Sequence, residues 1–321
     1  MDAWTRGEVK RCLLALLIGG LSGAPALAQG TAVECRAARV APLAIDSAQL
    51  LTDLSVLAAD SMEGRGFGTA GGARARAYLL RRMRSIGLDT FPAGALQEVR
   101  ARGLQATGAN VIGYVRGTSG GRETIVITAH YDHLGVQEGE VYNGADDNAS
   151  GTAALLALAA WFRAHAPRHH LLFVAMDGEE LGLLGARRFV EASPVPLSDI
   201  RLNLNFDMVG RNERGELQVV GPGHRPTLLP LVERASCAAE VRLMLGHDTG
   251  ASRRDDWTSQ SDHALFHAND IPFLYFGVED HPDYHRATDE VERIDAGFFV
   301  RATRTLAAVV VAVDGMEGGL E

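Results

Sequence analysis

The chain has 321 residues, 46% of them hydrophobic, with 31 basic against 40 acidic side chains. That length supplies one sizeable buried core, and a net charge of −9 argues against a general nucleic-acid surface, which needs concentrated positive charge. Lys10 is the only lysine, so the arginines elsewhere read as a compositional bias.

The chain opens on a leader. Residues 1–12 carry Arg6, Lys10 and Arg11, residues 13–23 are apolar, and Ala26-Leu27-Ala28 offers the small residues of a cleavage point. The apolar run is shorter than the roughly 20 residues of a spanning helix. The expectation is a signal peptide over 1–28, cleaved to leave an exported protein, periplasmic or extracellular, with no stable membrane insertion. Cys12 precedes the apolar run, which argues against a lipid anchor. Residues 29–50 read as an irregular approach segment, and 51–321 as one catalytic domain. Cys35 and Cys237 either pair in an oxidising compartment or stay free; with no Cys-x-x-Cys they make no metal cluster.

Apolar positions recur at helical spacing over 49–58 and 73–87, on either side of the glycine-rich turn SMEGRGFGTAGG at 61–72. Strands are predicted at 110–115, 124–130, 170–177, 200–209, 217–220, 241–245 and 271–277. Helices are predicted at 151–166, 181–192, 227–237 and 298–315. Apolar strands alternating with helices predict an α/β fold, a single-domain three-layer α/β/α sandwich around a central mixed, largely parallel sheet. In such a sheet, strand ends converge on a cleft.

The chemistry-bearing residues fall at those ends. His130 closes a strand in AHYDHLG, with Asp132 placed to orient its ring; His133 receives no ligand role. NGADDNASG (143–151) puts Asp146 and Asp147 just before a helix for which Ser150 is the candidate N-cap. AMDGEELG (175–182) pairs Glu179 with Glu180, one able to take a proton while the other binds a metal. Asp207 ends an apolar strand, where an unpaired carboxylate is costly, and His285 has Asp289 four residues on as a candidate partner. Each block alone is as consistent with a cap, an acidic turn or a structural histidine as with a ligand. The ordered set His130, Asp147, Glu180, Asp207, His285 is what points to one metal site.

These blocks, with EGRGFGTAGG, NFDMVG and DYHRATD, resemble the M28 family of co-catalytic zinc peptidases, including secreted bacterial aminopeptidases, from about Leu51 to Val313. The resemblance implies two Zn2+ ions: one held by Asp147, Glu180 and His285, the other by Asp147, His130 and Asp207, with Asp147 bridging. It gives Glu179 the general acid/base role, Tyr284 a hydrogen bond to the tetrahedral intermediate, and the Asp147-Asn148 peptide a cis bond. Asp132 and Asp289 become the supporting partners of His130 and His285. Asp262 and His263 match a recurrent family turn near the cleft, without a ligand role.

The implied activity is hydrolysis of the N-terminal peptide bond of peptides with a free amine. Trp257, Phe266, Phe273 and Tyr275 are candidate pocket material, Phe273 and Tyr275 more readily core. The alternatives are an M28-like glutaminyl cyclase, which uses one zinc, and a carboxypeptidase, dipeptidase or other amidohydrolase, for which Arg211, Arg253, Arg254 and Arg286 are the available carboxylate binders. A zinc-stabilised binding protein is the non-enzymatic reading, and it would have no use for Glu179. The sequence leaves the oligomeric state open.

Overall fold

The computed structural model describes residues 30–101, 103, 105–250 and 255–316; the expected leader, Arg253 and Arg254 lie outside them. Four parallel strands form its centre: β4 (Thr124–His130), β7 (His170–Met176), β8 (Ile200–Phe206) and β11 (Phe273–Gly277). They are flanked by β2 (Leu96–Arg100) and β3 (Thr107–Val115) on one side, and by β9 (Glu216–Val220), β10 (Arg242–Leu245) and the short β1 (Thr31–Ala32) on the other. The full order is β1-β10-β9-β11-β8-β4-β7-β3-β2.

Parallel pairing is confined to the central four strands and to β9 with β10, while β1–β10, β9–β11, β3–β7 and β2–β3 are antiparallel. The sheet is therefore mixed, but less parallel than expected. The short connection from β2 to β3 permits only an antiparallel pair. That β2 was not expected has a reason in its composition: LQEVR alternates weakly and buries only Val99 fully.

Helices cover both faces. Alternate strand residues such as Ile125, Ile127, Leu171, Phe173, Leu202 and Leu204 pack under α1 (Ser47–Leu57), α2 (Ala70–Ile86), α3 (Gly151–Ala164), α5 (Leu229–Ser236) and α7 (Ala296–Asp314). The other parity, Val126, Leu172, Val174 and Met176, packs under α4 (Leu184–Glu191) and the short α6 (His263–His267) through Phe189 and Phe266. This is the period-two signature of a sheet buried on both sides. Among the described residues α7 alone is long and apolar enough to cross a membrane, and two-thirds of it is buried against the rest of the protein. Its apolarity is that of a core helix.

The strand over 124–130 falls where expected; other boundaries move by a few residues. The fourth helix begins at Leu184 rather than 181, because Leu183 takes a left-handed conformation (φ 60°) and the peptides before it close a turn back onto Glu179. A two-stranded hairpin, β5 (Gly135–Gln137) with β6 (Glu140–Tyr142), occupies the loop after β4. Cys35 and Cys237 form a disulfide.

Candidate metal centre

All the parallel strands of the central four run toward the same end, and the polar residues gather there. His130 is the last residue of β4 and Asp207 directly follows β8; Glu179 and Glu180 sit in the turn between β7 and α4, Asp147 in the turn leading into α3, and His285 in the loop between β11 and α7. Two clusters result, joined at Asp147. His130 Nε2 lies 3.2 Å from Asp207 Oδ1 and 3.4 Å from Asp147 Oδ1. His285 Nε2 lies 3.1 Å from Asp147 Oδ2 and 3.3 Å from Glu180 Oε2. The two oxygens of Asp147 thus face different clusters.

Those four separations fit a tetrahedral cation. With zinc–nitrogen and zinc–oxygen distances of about 2.0 Å, adjacent ligand atoms stand roughly 3.3 Å apart. Electrostatics point the same way. Burial opposes protonation of His130 and His285, yet the surrounding carboxylates hold His130 well above its ordinary range and His285 up at about 10. Burial would raise Asp207 and Glu180, but histidine neighbours hold both below the usual carboxylate range. A site that draws this strongly on positive charge suits divalent cations.

His133, which the sequence left without a role, stands at the second cluster. Its Nδ1 is 2.7 Å from Glu180 Oε1 and 3.7 Å from Asp147 Oδ2. His133, Asp147 and Glu180 are close enough to share an ion. The shortest contact, however, is a hydrogen-bond distance rather than a ligand–ligand edge. It engages the Glu180 oxygen opposite the one that faces His285. His133 therefore orients Glu180.

The supporting carboxylates act differently from expectation. The Asp132 carboxylate accepts the backbone N–H groups of Glu179 and Glu180. It is the Asp132 backbone carbonyl that comes 3.2 Å from His130 Nδ1, with the carboxylate 3.8 Å away. Asp289 accepts the backbone N–H groups of Asp146 and Asp147 at 3.0–3.1 Å, so it secures the Asp147 turn rather than the His285 ring. Sequence proximity suggested the rings; the unpaired donors of the two turns are the stronger claim on a buried carboxylate. Ser150 is already helical and donates to Asp146, so Asn148 caps α3 instead by accepting Gly151 N–H. The Asp147-Asn148 bond is cis.

Beneath these turns lies a residue the sequence did not single out. Arg65 is fully buried, with its guanidinium donating to the carbonyls of Leu57, Tyr131, Asn143 and Gly144 at 2.6–2.8 Å. Burial pushes it down to about 10, opposed by Asp147, Asp289, Asp132 and Glu180, so it stays cationic at neutral pH. The EGRG segment delivers it through three successive left-handed residues, Glu63, Gly64 and Arg65. A side chain at Gly64 would stand 2.4 Å from Tyr142 O and 2.5 Å from Gly135 O. The signal in the sequence was that Arg65 lies in EGRGFGTAGG, one of the blocks carrying the family resemblance, but nothing local shows that its side chain is buried.

The cleft over the clusters is lined by Glu179, Met208, Trp257, Gln260, Tyr275 and Tyr284 among others. Burial, with Asp207, Asp262 and Glu180 nearby and His130 opposing, holds the Glu179 carboxyl well above its usual range. Tyr284 stacks on the His285 ring at 4.0 Å. Trp257 and Tyr275 line the cleft over Phe273 in one cluster, whereas Phe266 belongs to the far-face core. Arg211 pairs with Asp283 at 2.6 Å.

A model of peptidase family M28 matches residues 110–310, more than half of the chain. The chain belongs to peptidase family M28. Among its relatives, aminopeptidase YwaD of Bacillus subtilis (strain 168) is 30% identical over 214 residues, covering 64% of this chain and 44% of that protein. The BOS complex subunit NCLN of Homo sapiens is 31% identical over 268 residues, covering 76% and 46%. The chain thus spans less than half the length of these relatives. A zinc aminopeptidase from Bacillus subtilis, BSAP, superposes with a TM-score of 0.66 at 19% identity, over 84% of this chain and 95% of that one. It shares the three-layer fold of this chain. Two His/Asp/Glu groupings that share Asp147, one with His130 and Asp207 and one with Glu180 and its neighbouring histidines, agree with a dinuclear zinc centre.

Proposed function

We propose that the protein is an aminopeptidase, using two zinc ions to hydrolyse the first peptide bond of substrates with a free N-terminal amine. The observation that carries this reading is Asp147, whose two oxygens face separate ligand clusters, with Glu179 beside them in the cleft. In this reading Asp147 bridges, His130 and Asp207 complete one site, and Glu180 and His285 complete the other.

When bound, the zinc pair supplies Lewis acidity that polarises the scissile carbonyl and acidifies water. The chain's own residues do the rest. Glu179 takes the proton of the attacking water and returns it to the leaving nitrogen, a task its place in the cleft beside Asp147 and His130 suits. Tyr284, at the cleft wall, donates its hydroxyl to the developing oxyanion. Met208, Trp257, Tyr275 and Val278 offer an apolar surface to the first side chain. Export is part of the proposal: the leader-like residues 1–28 and the Cys35–Cys237 disulfide support a periplasmic or extracellular protein.

Purified protein reloaded with zinc is offered free-amine, N-acetylated and C-terminally blocked peptides, and the products are weighed. The free-amine and C-terminally blocked peptides are expected to lose their first residue while the acetylated one is spared. Cleavage of the acetylated peptide alone rejects the reading. Loss of ammonia from N-terminal glutamine without hydrolysis assigns a cyclase instead.

A further inference from the structure

Arg65 spends its donors in an unusual way for a buried arginine beside a carboxylate-rich site: all four of its hydrogen bonds go to backbone carbonyls. The acceptors are not scattered. Tyr131 immediately follows His130, and Asn143 and Gly144 lead into the turn that carries Asp147. One rigid planar fork therefore fixes the two backbone segments that present these side chains, with Leu57 at the end of α1 as its anchor on the other side. Asp289 grips the Asp147 turn from a different direction, through the N–H groups of Asp146 and Asp147. The turn is held by its carbonyls from Arg65 and by its amides from Asp289.

We propose that Arg65 is a positioning residue for the metal centre, setting the bridging carboxylate and the strand-end histidine in place before any metal arrives. A pre-set site spares metal binding the cost of ordering two loops, because fixing a residue's backbone costs conformational entropy. The fixed charge also keeps Asp132, Asp147, Glu180 and Asp289 from driving these loops apart. Lysine cannot take over: its three donors radiate from one nitrogen and do not span carbonyls on three segments. The inference rests on the dinuclear reading above but is tested by metal binding alone.

Zinc is titrated calorimetrically into the metal-free wild type, Arg65→Lys and Arg65→Met, with Arg82→Met as control. Arg82 pairs with buried Asp53 away from the site, so its loss destabilises the fold without touching these loops. The Arg65 variants are expected to bind zinc about 10- to 100-fold more weakly, the range seen when groups supporting metal ligands are removed. The control should bind as the wild type does. Equal affinity in the Arg65 variants, or an equal loss in the control, overturns the proposal.

Hydrogen exchange on the wild type gives a second arm that needs no variant to fold. The amides of Ala145, Asp146 and Asp147, whose acceptors on Asp289 stay in reach only if the turn is held in place, are expected to be protected in the metal-free protein. Fast exchange there that only zinc suppresses would show that the metal, not Arg65, orders the turn. A wild type that binds no zinc fails the dinuclear reading itself, whereas intact binding in the Arg65 variants fails this inference alone.

Discussion

Glu179 and Glu180 are neighbours in sequence with opposite environments. Glu180 is held by His133 and His285 and kept ionised, whereas Glu179 lines the cleft with its carboxyl pushed toward the protonated form. Such a division lets adjacent carboxylates serve as ligand and as proton carrier. Glu179→Ala should therefore leave zinc content near that of the wild type while lowering kcat about 100-fold or more, the usual worth of a general base; metal analysis beside steady-state kinetics reads both. Turnover that survives the substitution would remove Glu179 from the mechanism. At this scale the sequence was informative where a residue type is rare for its place, as with His130 and Asp207 at the ends of apolar strands. It was silent where a role depends on reach across the fold. His133 meets Glu180 across 47 positions, and Asp289 meets Asp147 across 142; no local pattern contains either pairing.

The elements follow from periodicity where burial is strong. Every residue of the core strand TIVITAH is buried, as are nine of the fourteen in the helix GTAALLALAAWFRA, and both lie close to their predicted bounds. The hairpin after β4 and the edge strand β2 are short or half-exposed, so their signal does not rise above that of a polar loop. At the opposite edge, β1 pairs with β10 by only two residues, and the Cys35–Cys237 bridge fastens the segment after it to the end of α5. Two paired residues supply little hold by themselves. Reduction of the disulfide, or Cys237→Ser, should lower unfolding stability by about 2–4 kcal/mol, as for other native bridges. Limited proteolysis should then cut first within 33–46, and a reduced protein as resistant as the oxidised one would show that the bridge carries no such load.

For the whole molecule, fold and site are one arrangement: ligands arrive from four parallel strand ends and one helix-leading turn. The α/β class was legible because strongly apolar strands such as β7 and β11 alternate with helical segments; the strand order was not, since β11 reaches its place only by passing β9 and β10. A site spread over so much chain couples metal binding to global stability. At a free zinc concentration 100 times its dissociation constant, each site should add about 2.7 kcal/mol to unfolding. Chelation should accordingly lower the thermal midpoint, and re-addition of zinc should restore it. A midpoint indifferent to chelation would mean that the clusters hold no ion in the folded state.

The position of β11 also bears on how the protein is made. It lies between β8 and β9, both synthesised before it, and His285 comes later still. A growing chain that has not yet emitted residue 273 therefore carries two blocks of strands with open inner edges and an incomplete second cluster. The last central strand closes the sheet and brings in the final histidine. Full metal-binding capacity is thus acquired only once His285 has been added, after the other strands that surround the ions already exist.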